Sequence, residues 1–175
     1  MNLRNLLNLI LGRPVSFIDP TARIGRDTTV WHWVTILAHV KIGKNCSIGS
    51  HAEIGAGTTI DDGSRISAHV FLPSNSTIGK CVFLGPCVCC TDDRLPFAGN
   101  ADYIAEPPII EDYASVGAGS VILPGVRIGK KAMIGAGSVV TRDVPAGGKV
   151  YGEKAKLRAM TFDHLKSEFG WIGGA

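Results

Sequence analysis

Aliphatic residues recur at every sixth position along most of the chain. The first run starts at Ile18 and continues through thirteen consecutive positions to Cys90, the only member that is not aliphatic. A second run of six starts at Ile110 and ends at Val140. Helices repeat every 3.6 residues and simple strands every two. A strict period of six therefore indicates a solenoid whose unit is one short strand plus one turn.

Each predicted unit places its aliphatic residue in the core and a corner residue three positions later. Gly, Asn or another small residue is expected at that corner, because a tight turn there needs a positive φ. Three units make one triangular coil of eighteen residues, and successive coils pair their backbones about 4.8 Å apart. Residues eighteen apart in the sequence are therefore predicted to lie one above another.

The two aliphatic runs are out of register with each other. Twenty residues separate Cys90 from Ile110, and twenty is not a multiple of six. The stretch 96–108 is bracketed by prolines and has no period, so it is predicted to loop out of the solenoid wall. Loops on rigid scaffolds concentrate function, although a solenoid also tolerates insertions at its corners.

Helical spacing replaces the period of six at both ends of the chain. Residues 1–13 predict a short amphipathic helix over the first coil, and residues 153–175 predict a closing helix and tail. The solenoid is expected to span 14–152. The apolar run within 1–13 is too short for a signal peptide, and no transmembrane span is predicted.

Composition and charge narrow the functional classes. The 175 residues are 45% apolar and include 22 glycines, which suits one domain with a continuous core and many corners. A net charge of +3 is too small to indicate a nucleic-acid partner, but it is compatible with a small phosphorylated ligand. The chain has five cysteines, which is an odd number, and they do not form two C-x-x-C pairs. Reduced thiols in a cytoplasmic protein are therefore expected.

The repeat resembles that of the hexapeptide-repeat acyltransferases. The motif is specific, because nineteen units cover most of 18–145. The resemblance implies an all-β fold, a left-handed parallel β-helix of hexapeptide repeats, and a homotrimer with active sites between subunits. The period alone shows only a solenoid, and the general rule for parallel crossovers favours the right hand.

Several segments resemble bacterial nucleotide-amino-sugar N-acetyltransferases within that family. They are I-D-P-T-A-R-I-G, V-W-H-W-V-T-I, V-K-I-G-K-N-C-S-I-G and F-L-G-P-C-V-C-C-T-D-D-R-L-P. In these enzymes the last segment usually continues with Thr-Asn, and the asparagine lies in the active site. Here Thr91 matches, but Asp92 stands where the asparagine would be. The resemblance implies acetyl-CoA as acyl donor and, as acceptor, a nucleotide-linked amino sugar used for surface polysaccharide such as O-antigen or capsule.

The predicted catalytic residues are Asp92 and Asp93. Hexapeptide enzymes that acetylate sugar hydroxyls commonly carry a histidine near this point, because an alcohol must lose its proton as it attacks a thioester. The stretch T-D-D-R-L-P has no histidine, and a neutral amine is already a nucleophile. N-acetylation is therefore favoured over O-acetylation, with an aspartate orienting the amine or taking its proton. A histidine from a neighbouring subunit could reverse this inference.

Four of the five histidines fall in the first aliphatic run. Three of them, His39, His51 and His69, occupy corner positions and are predicted to point outward. His51 and His69 are eighteen residues apart, so they should stack on one edge. Solvated corner histidines are the simpler interpretation, and a role in recognising the acceptor stays open. The residues assigned to substrate binding are His32, His51, His69, Thr91 and Arg94.

Two Gly-Ala-Gly tripeptides, 117–119 and 135–137, are eighteen residues apart and should stack into a wall of small side chains with accessible backbone amides. An extended pantetheine arm could lie along such a wall. Gly-Ala-Gly also occurs at 55–57, so the tripeptide alone is weak evidence for a cofactor site. The segment S-V-V-T-R-D-V-P, which follows the tripeptide 135–137, resembles the family's terminal coil beside coenzyme A. Basic side chains there suit its phosphates. The residues assigned to the cofactor are Gly117, Ala118, Gly135, Ala136, Arg142, Lys149 and Lys154.

A metal-binding protein of the γ-carbonic-anhydrase type is the remaining alternative. That family requires three zinc-binding histidines, two of them five residues apart, and the sequence has no such pair. No metal site is therefore predicted.

Overall fold

Twenty strands of two residues each follow one another around a solenoid in the computed structural model, which describes residues 15–152. The predicted helices in 1–13 and 153–175 lie outside the described residues. In chain order the strands are β1 (Phe17–Ile18), β2 (Arg23–Ile24), β3 (Thr29–Val30), β4 (Thr35–Ile36), β5 (Lys41–Ile42), β6 (Ser47–Ile48), β7 (Glu53–Ile54), β8 (Thr59–Ile60), β9 (Arg65–Ile66), β10 (Phe71–Leu72), β11 (Thr77–Ile78), β12 (Phe83–Leu84), β13 (Cys89–Cys90), β14 (Ile109–Ile110), β15 (Ser115–Val116), β16 (Val121–Ile122), β17 (Arg127–Ile128), β18 (Met133–Ile134), β19 (Val139–Val140) and β20 (Lys149–Val150).

The strands form three parallel sheets, because up to β19 each strand pairs with the strand three places along the chain. Sheet A contains β1, β4, β7, β10, β13, β16 and β19, sheet B contains β2, β5, β8, β11, β14 and β17, and sheet C contains β3, β6, β9, β12, β15, β18 and β20. The register in the first run is eighteen residues, as in the pair Phe17 and Thr35. The predicted solenoid of hexapeptide repeats is confirmed, and the left hand of its coil stays a prediction.

The inserted loop, residues 91–108, connects β13 to β14 without disturbing the coils on either side. Thr77 pairs with Ile109 and Cys89 pairs with Val121, so the register here is 32 residues instead of eighteen. Fourteen residues have therefore been added at one corner. The coil below the loop and the coil above it still hydrogen-bond to each other.

Corner residues adopt a positive φ at intervals of six residues. The expectation that these residues are small is only partly right, because Trp33, Tyr113 and Lys131 have φ values of 55°, 61° and 58°. A left-handed conformation costs a non-glycine residue roughly 1–2 kcal/mol. Backbone bonds between coils offset that cost: the amide of Tyr113, for example, donates to the carbonyl of Lys80 at 2.8 Å. The coil therefore imposes the turn, and the side chain at the corner is left to face outward.

The core is a column of aliphatic side chains along the solenoid axis. The second residue of each strand from Ile36 to Val140 is almost completely buried, and Ile66 and Ile110 have no exposed surface. Ile18 and Ile24 are 39% and 36% exposed, because no coil among the described residues lies beneath them. All five cysteines are free, and burial raises the pKa of the Cys90 thiol.

Sheet A is flanked by two of the solenoid's three edges, and among the described residues these edges carry the predicted site residues other than Lys149. The CA edge, where sheet C turns into sheet A, consists of the triplets 31–33, 49–51, 67–69, 85–87, 117–119 and 135–137. The AB edge, where sheet A turns into sheet B, consists of the triplets 19–21, 37–39, 55–57, 73–75, 123–125 and 141–143 and of the inserted loop. One hexapeptide separates them, so they lie on the order of 15–20 Å apart, since six extended residues span at most about 20 Å.

Candidate functional site

A cavity of about 840 Å³ opens on the AB edge beside the start of the inserted loop. The residues that line it are Phe71, Thr91, Asp92, Asp93, Arg94, Leu95, Pro96, Leu123, Pro124 and Thr141. The stretch 91–94, predicted from the sequence to carry catalytic and substrate-binding residues, forms one wall. The cavity therefore combines two carboxylates and a guanidinium with an apolar floor.

Asp92 is held between the solenoid and the far end of the inserted loop. The preceding residue, Thr91, is anchored to the coil because its amide and its hydroxyl donate to the carbonyl of Ile122, at 2.9 and 3.1 Å. The carbonyl oxygen of Asp92 accepts from the amide of Glu106 at 2.8 Å. Its Oδ2 accepts from the hydroxyl of Tyr103 at 2.7 Å. The backbone and side chain of Asp92 are thus both fixed.

Asp93 and Arg94 help to shape the loop. Oδ1 of Asp93 accepts from the amide of Leu95 at 2.8 Å, a local bond typical of aspartate in turns. Nε of Arg94 donates to Oε1 of Glu106 at 2.6 Å, which ties the beginning of the loop to its end. Both predicted site residues therefore line the cavity and also stabilise the segment that forms it.

Hydrogen bonds in the loop shift the pKa values of three of its side chains. The hydrogen bond from Arg94 lowers the pKa of Glu106, and the same bond raises the pKa of Arg94. The hydrogen bond to Asp92 raises the pKa of Tyr103, with further contributions from partial burial and from the charges of Asp92 and Asp93. At neutral pH Tyr103 is therefore a protonated donor and Glu106 an ionised acceptor.

Aromatic rings stack along the first coils of the CA edge. The rings of Trp33 and His51 lie 4.9 Å apart between centroids, and those of His51 and His69 lie 4.8 Å apart with 4° between their planes. We call these three residues the ring column. His32 meets the ring of Trp33 edge to face at 5.9 Å. All four side chains are exposed, so the predicted outward stack of His51 and His69 is confirmed.

The ring column continues upward into a stretch of small residues on the same edge. Cys87 lies next above the histidines, followed by the tripeptides 117–119 and 135–137, which we call the small-residue stretch. The alanine of each tripeptide is exposed. A Cβ built at Gly119 or Gly137 would meet no atom within 4 Å. The upper part of the CA edge is therefore open along two coils.

The stacking of coils explains why Gly117 and Gly135 have no side chain. A Cβ on Gly117 would lie 2.4 Å from the amide nitrogen of Ala136, and one on Gly135 would lie 2.8 Å from Cδ1 of Tyr151. The amides of Gly117 and Gly135 donate to carbonyl oxygens of the next coil at 2.8 and 2.7 Å. The expectation of accessible backbone amides is therefore wrong for both glycines, because the pairing of parallel coils already uses them.

The basic residues assigned to the cofactor phosphates are not brought together. Arg142 lies on the AB edge, in the same column as Asp92 and two coils above it. Lys149 begins β20 in sheet C, where it pairs with Met133. The two side chains leave different sides of the solenoid, because the chain turns a corner between them. Lys154 lies outside the described residues.

Asp92 and the small-residue stretch lie on opposite edges of sheet A in one chain. Asp92 and Arg94 lie on the AB edge, whereas Ala118 and Ala136 lie on the CA edge. One face of the prism separates the two groups. The residues predicted for catalysis and those predicted for the cofactor therefore do not meet within a single copy of the chain.

Some residues that line the cavity, and others that contact its carboxylate and guanidinium groups, were not predicted from the sequence. Leu123 and Thr141 lie above Thr91 in one column, and counting 32 and then eighteen residues from Thr91 would have found both. Tyr103 and Glu106 lie in the inserted loop, where no period exists, so the sequence carried no signal for their contacts with Asp92 and Arg94.

Two features of other functional classes are absent from residues 15–152. In this range no group of three or more His, Cys, Asp or Glu side chains is arranged to hold a metal ion. The same range contains no helix with the length and apolar character needed to cross a membrane.

Comparison with known proteins gives sequence matches along the repeats. Residues 21–56 and 107–142 match the family described as bacterial transferase hexapeptide (six repeats), and residues 39–74 match the hexapeptide repeat of succinyl-transferase. One similar curated protein is the 2,3,4,5-tetrahydropyridine-2,6-dicarboxylate N-acetyltransferase of Staphylococcus aureus (strain JH9). It is 51% identical over 53 residues, which make up 30% of this chain and 22% of that protein. The chain thus spans about a fifth of the length of the curated relatives it matches.

Solved structures show the same fold over most of the chain. WeeI from Acinetobacter baumannii AYE superposes with a TM-score of 0.54 at 22% identity, covering 85% of this chain and 62% of that one. A hexapeptide transferase family protein from Anaplasma phagocytophilum superposes with a TM-score of 0.58 at 18% identity, covering 87% and 83%. These structural likenesses show the fold alone. The two hexapeptide models together match residues 21–74 and 107–142, about half of the chain, and the chain therefore belongs to the bacterial hexapeptide-repeat transferase family.

Proposed function

We propose that the protein is an acetyl-CoA-dependent N-acetyltransferase that acts on a nucleotide-linked amino sugar in the synthesis of bacterial surface polysaccharide. The observation that carries the proposal is the cavity on the AB edge, which Asp92 and Asp93 line beside the inserted loop. A carboxylate in that position can accept a hydrogen bond from an attacking amine. Membership of a transferase family supports group transfer, and the curated relatives are named as N-acetyltransferases.

In the proposed reaction the amine nitrogen attacks the carbonyl carbon of the thioester. A nitrogen–carbon bond forms, the carbon–sulfur bond breaks, and the proton lost by nitrogen ends on the sulfur of coenzyme A. Asp92 would hold the amine through the carboxylate oxygen that does not bond to Tyr103, and it would relay that proton. Asp93 is the second candidate for this role, although one of its oxygens already accepts from Leu95.

We assign the pantetheine arm of the acyl donor to the small-residue stretch. The exposed side chains of Ala118 and Ala136 and the open space beside Gly119 and Gly137 leave room there for an extended chain. Cationic side chains would bind the phosphates. The residues proposed for them are Arg142, Lys149 and Lys154. Because Arg142 and Lys149 leave different sides of one chain, more than one subunit would have to contribute.

We assign the ring column to the acceptor, together with His32. Exposed imidazole rings can donate hydrogen bonds to phosphate oxygens and can pack against a planar base. Thr91 and Arg94 are proposed to contact the sugar at the cavity, with the cytoplasm as the site of the reaction.

A complete site of this kind needs a second copy of the chain, because Asp92 and the small-residue stretch lie on different edges. We propose a homotrimer in which the AB edge of one subunit faces the CA edge of the next. The outer face of sheet A between these edges carries apolar side chains that association would cover, among them Phe71 at 37% and Val139 at 61% exposure. Sedimentation at micromolar concentration should show a trimer, and a monomer would contradict the proposal.

An acceptor panel tests the reaction itself. The protein is incubated with acetyl-CoA and nucleotide-linked 3-amino or 4-amino sugars, and the free thiol of coenzyme A is followed. Release is expected with an amino sugar and not with the analogue that carries a hydroxyl in place of the amine. Release with the hydroxyl analogue instead would identify an O-acetyltransferase.

A further inference from the structure

Tyr103 reaches back from the inserted loop to Asp92. Its hydroxyl donates to Oδ2 of Asp92 at 2.7 Å, and three residues later the amide of Glu106 donates to the carbonyl oxygen of Asp92 at 2.8 Å. The side chain and the backbone of one residue are thus held by two points of the same loop. Such a double contact fixes both the position and the orientation of the carboxylate.

The tyrosine leaves one carboxylate oxygen available to the cavity. Asp92 lines the cavity and Tyr103 does not, so the phenol approaches the carboxylate from outside it. An aspartate side chain can otherwise turn broadly about its terminal bond. The bond to Oδ2 restricts this rotation and leaves Oδ1 as the oxygen that a molecule in the cavity can reach.

Other contacts already hold the loop in place. The pair Arg94 and Glu106 joins its two ends, and the amide of Gly125 in the next coil donates to the carbonyl of Glu106 at 2.7 Å. Tyr103 is 47% exposed, so its ring is only half-buried against the rest of the protein. The particular effect of the Tyr103 hydroxyl is therefore on Asp92.

We propose that Tyr103 is a positioning residue for the acceptor: it holds the Asp92 carboxylate so that Oδ1 receives the hydrogen bond of the attacking amine. This inference rests on the proposed function. Tyr103 donates throughout and does not itself lose a proton. The hydrogen bond to Asp92, reinforced by the charge of that carboxylate, keeps the phenol protonated and raises the pKa of Tyr103.

The kinetic test is Tyr103→Phe, which removes the hydroxyl and keeps the ring. We expect kcat to fall about tenfold while KM for acetyl-CoA is unchanged, because one oriented hydrogen bond in the transition state is worth roughly that factor. The matched control is Tyr113→Phe, a tyrosine that is exposed on the remaining edge of the solenoid and packs beside Lys130. This control should retain the wild-type rate, and an equal loss in both variants would overturn the proposal.

A double-mutant cycle separates positioning from a structural role. In protein that already carries Asp92→Ala, the change Tyr103→Phe should have no further effect on kcat, because the tyrosine then has no carboxylate to orient. Independent losses that multiply in the double variant would show that Tyr103 acts elsewhere, and they would overturn the proposal.

A measurement without substrate distinguishes this inference from the proposed function. Tyrosine labelled with ¹³C at Cζ reports ionisation by NMR, and Tyr103→Phe identifies the resonance of Tyr103 among the three tyrosines. Asp92→Asn should lower the pH at which Tyr103 ionises, because it removes the nearby charge. An unchanged midpoint would overturn the inference whatever the acceptor is. A lowered midpoint in a protein that acetylates no amine would overturn the proposed function and the amine role of Tyr103 with it.

Discussion

Nε of Arg94 lies 2.6 Å from Oε1 of Glu106, so one ion pair closes the inserted loop at its base. Arg94 lies two residues after Asp92, and Glu106 bonds to Asp92 through its amide. The pair therefore helps the backbone contacts of Glu106 to hold the loop against the cavity.

Acid should open this pair. Arg94 lowers the pKa of Glu106 below its ordinary value of 4.5, so the pair stabilises the closed loop above that value. The contribution disappears as the pH falls through the lowered pKa. In NMR titrations of ¹³C-labelled glutamate carboxyls, Arg94→Ala should move the midpoint of Glu106 up toward the ordinary value. The control is Arg127→Ala, which breaks a similar pair with Glu111 and should leave Glu106 unchanged. A Glu106 midpoint that does not respond to Arg94→Ala would contradict the prediction.

Replacement of Asp92 should slow the reaction most when the new side chain cannot accept a hydrogen bond from the amine. Asp92→Ala should lower kcat about ten- to a thousandfold, equivalent to about 1.4 to 4 kcal/mol of barrier. Asp92→Asn should keep more activity, because its amide oxygen can still accept from the amine while its NH₂ group faces Tyr103. Steady-state kinetics with the amino sugar measures both. Near-normal turnover by Asp92→Ala would mean that the reaction takes place elsewhere.

A bulky side chain on the CA edge should block coenzyme A without unfolding the solenoid. Ala136→Trp places its indole on the small-residue stretch, where the alanine is exposed and points away from the core. The matched control is Ala56→Trp, which stands in an identical Gly-Ala-Gly tripeptide on the AB edge. Titration calorimetry should show weak coenzyme A binding by the first variant alone, with unchanged circular dichroism in both. Equal affinities would remove the assignment.

The ring column should matter for the nucleotide sugar more than for the acyl donor. His69→Ala should raise KM for the acceptor roughly tenfold, a change of about 1.4 kcal/mol. His39→Ala is the matched control, because His39 has nearly the same corner conformation, with φ 59° against 58°, but lies on the AB edge. If both variants bind the acceptor as the wild type does, the column is a structural stack only.

The fold could be predicted from the sequence because the aliphatic residues at every sixth position all point into the core. The stacking of His51 with His69 follows from that period by counting alone, since eighteen residues return the chain to the same corner. No comparable rule places Tyr103 beside Asp92. Eleven residues without a period separate them, and their contact depends on how the loop folds back.

The length of a coil also explains why the residues predicted to bind the cofactor phosphates do not lie together. Arg142 and Lys149 are close in the sequence, which made them look like neighbours. In a triangular coil, a separation of about six residues moves the chain to another side, whereas a separation of eighteen keeps two residues in contact. Sequence proximity is therefore a poor guide to shared sites in this architecture.

The regular coil spacing places the corners of the CA edge at equal distances along the solenoid axis. Each coil advances about 4.8 Å, so the three steps from His69 through Cys87 and Gly119 to Gly137 measure roughly 14 Å. The inserted loop is attached at the level of Cys87. In the proposed site, the reactive carbon of the acyl donor would have to arrive at this level. Donors whose arms differ by one step would present that carbon a whole coil too high or too low. The protein would then select donors of one arm length through the spacing of its backbone coils, without a particular side chain that measures the arm.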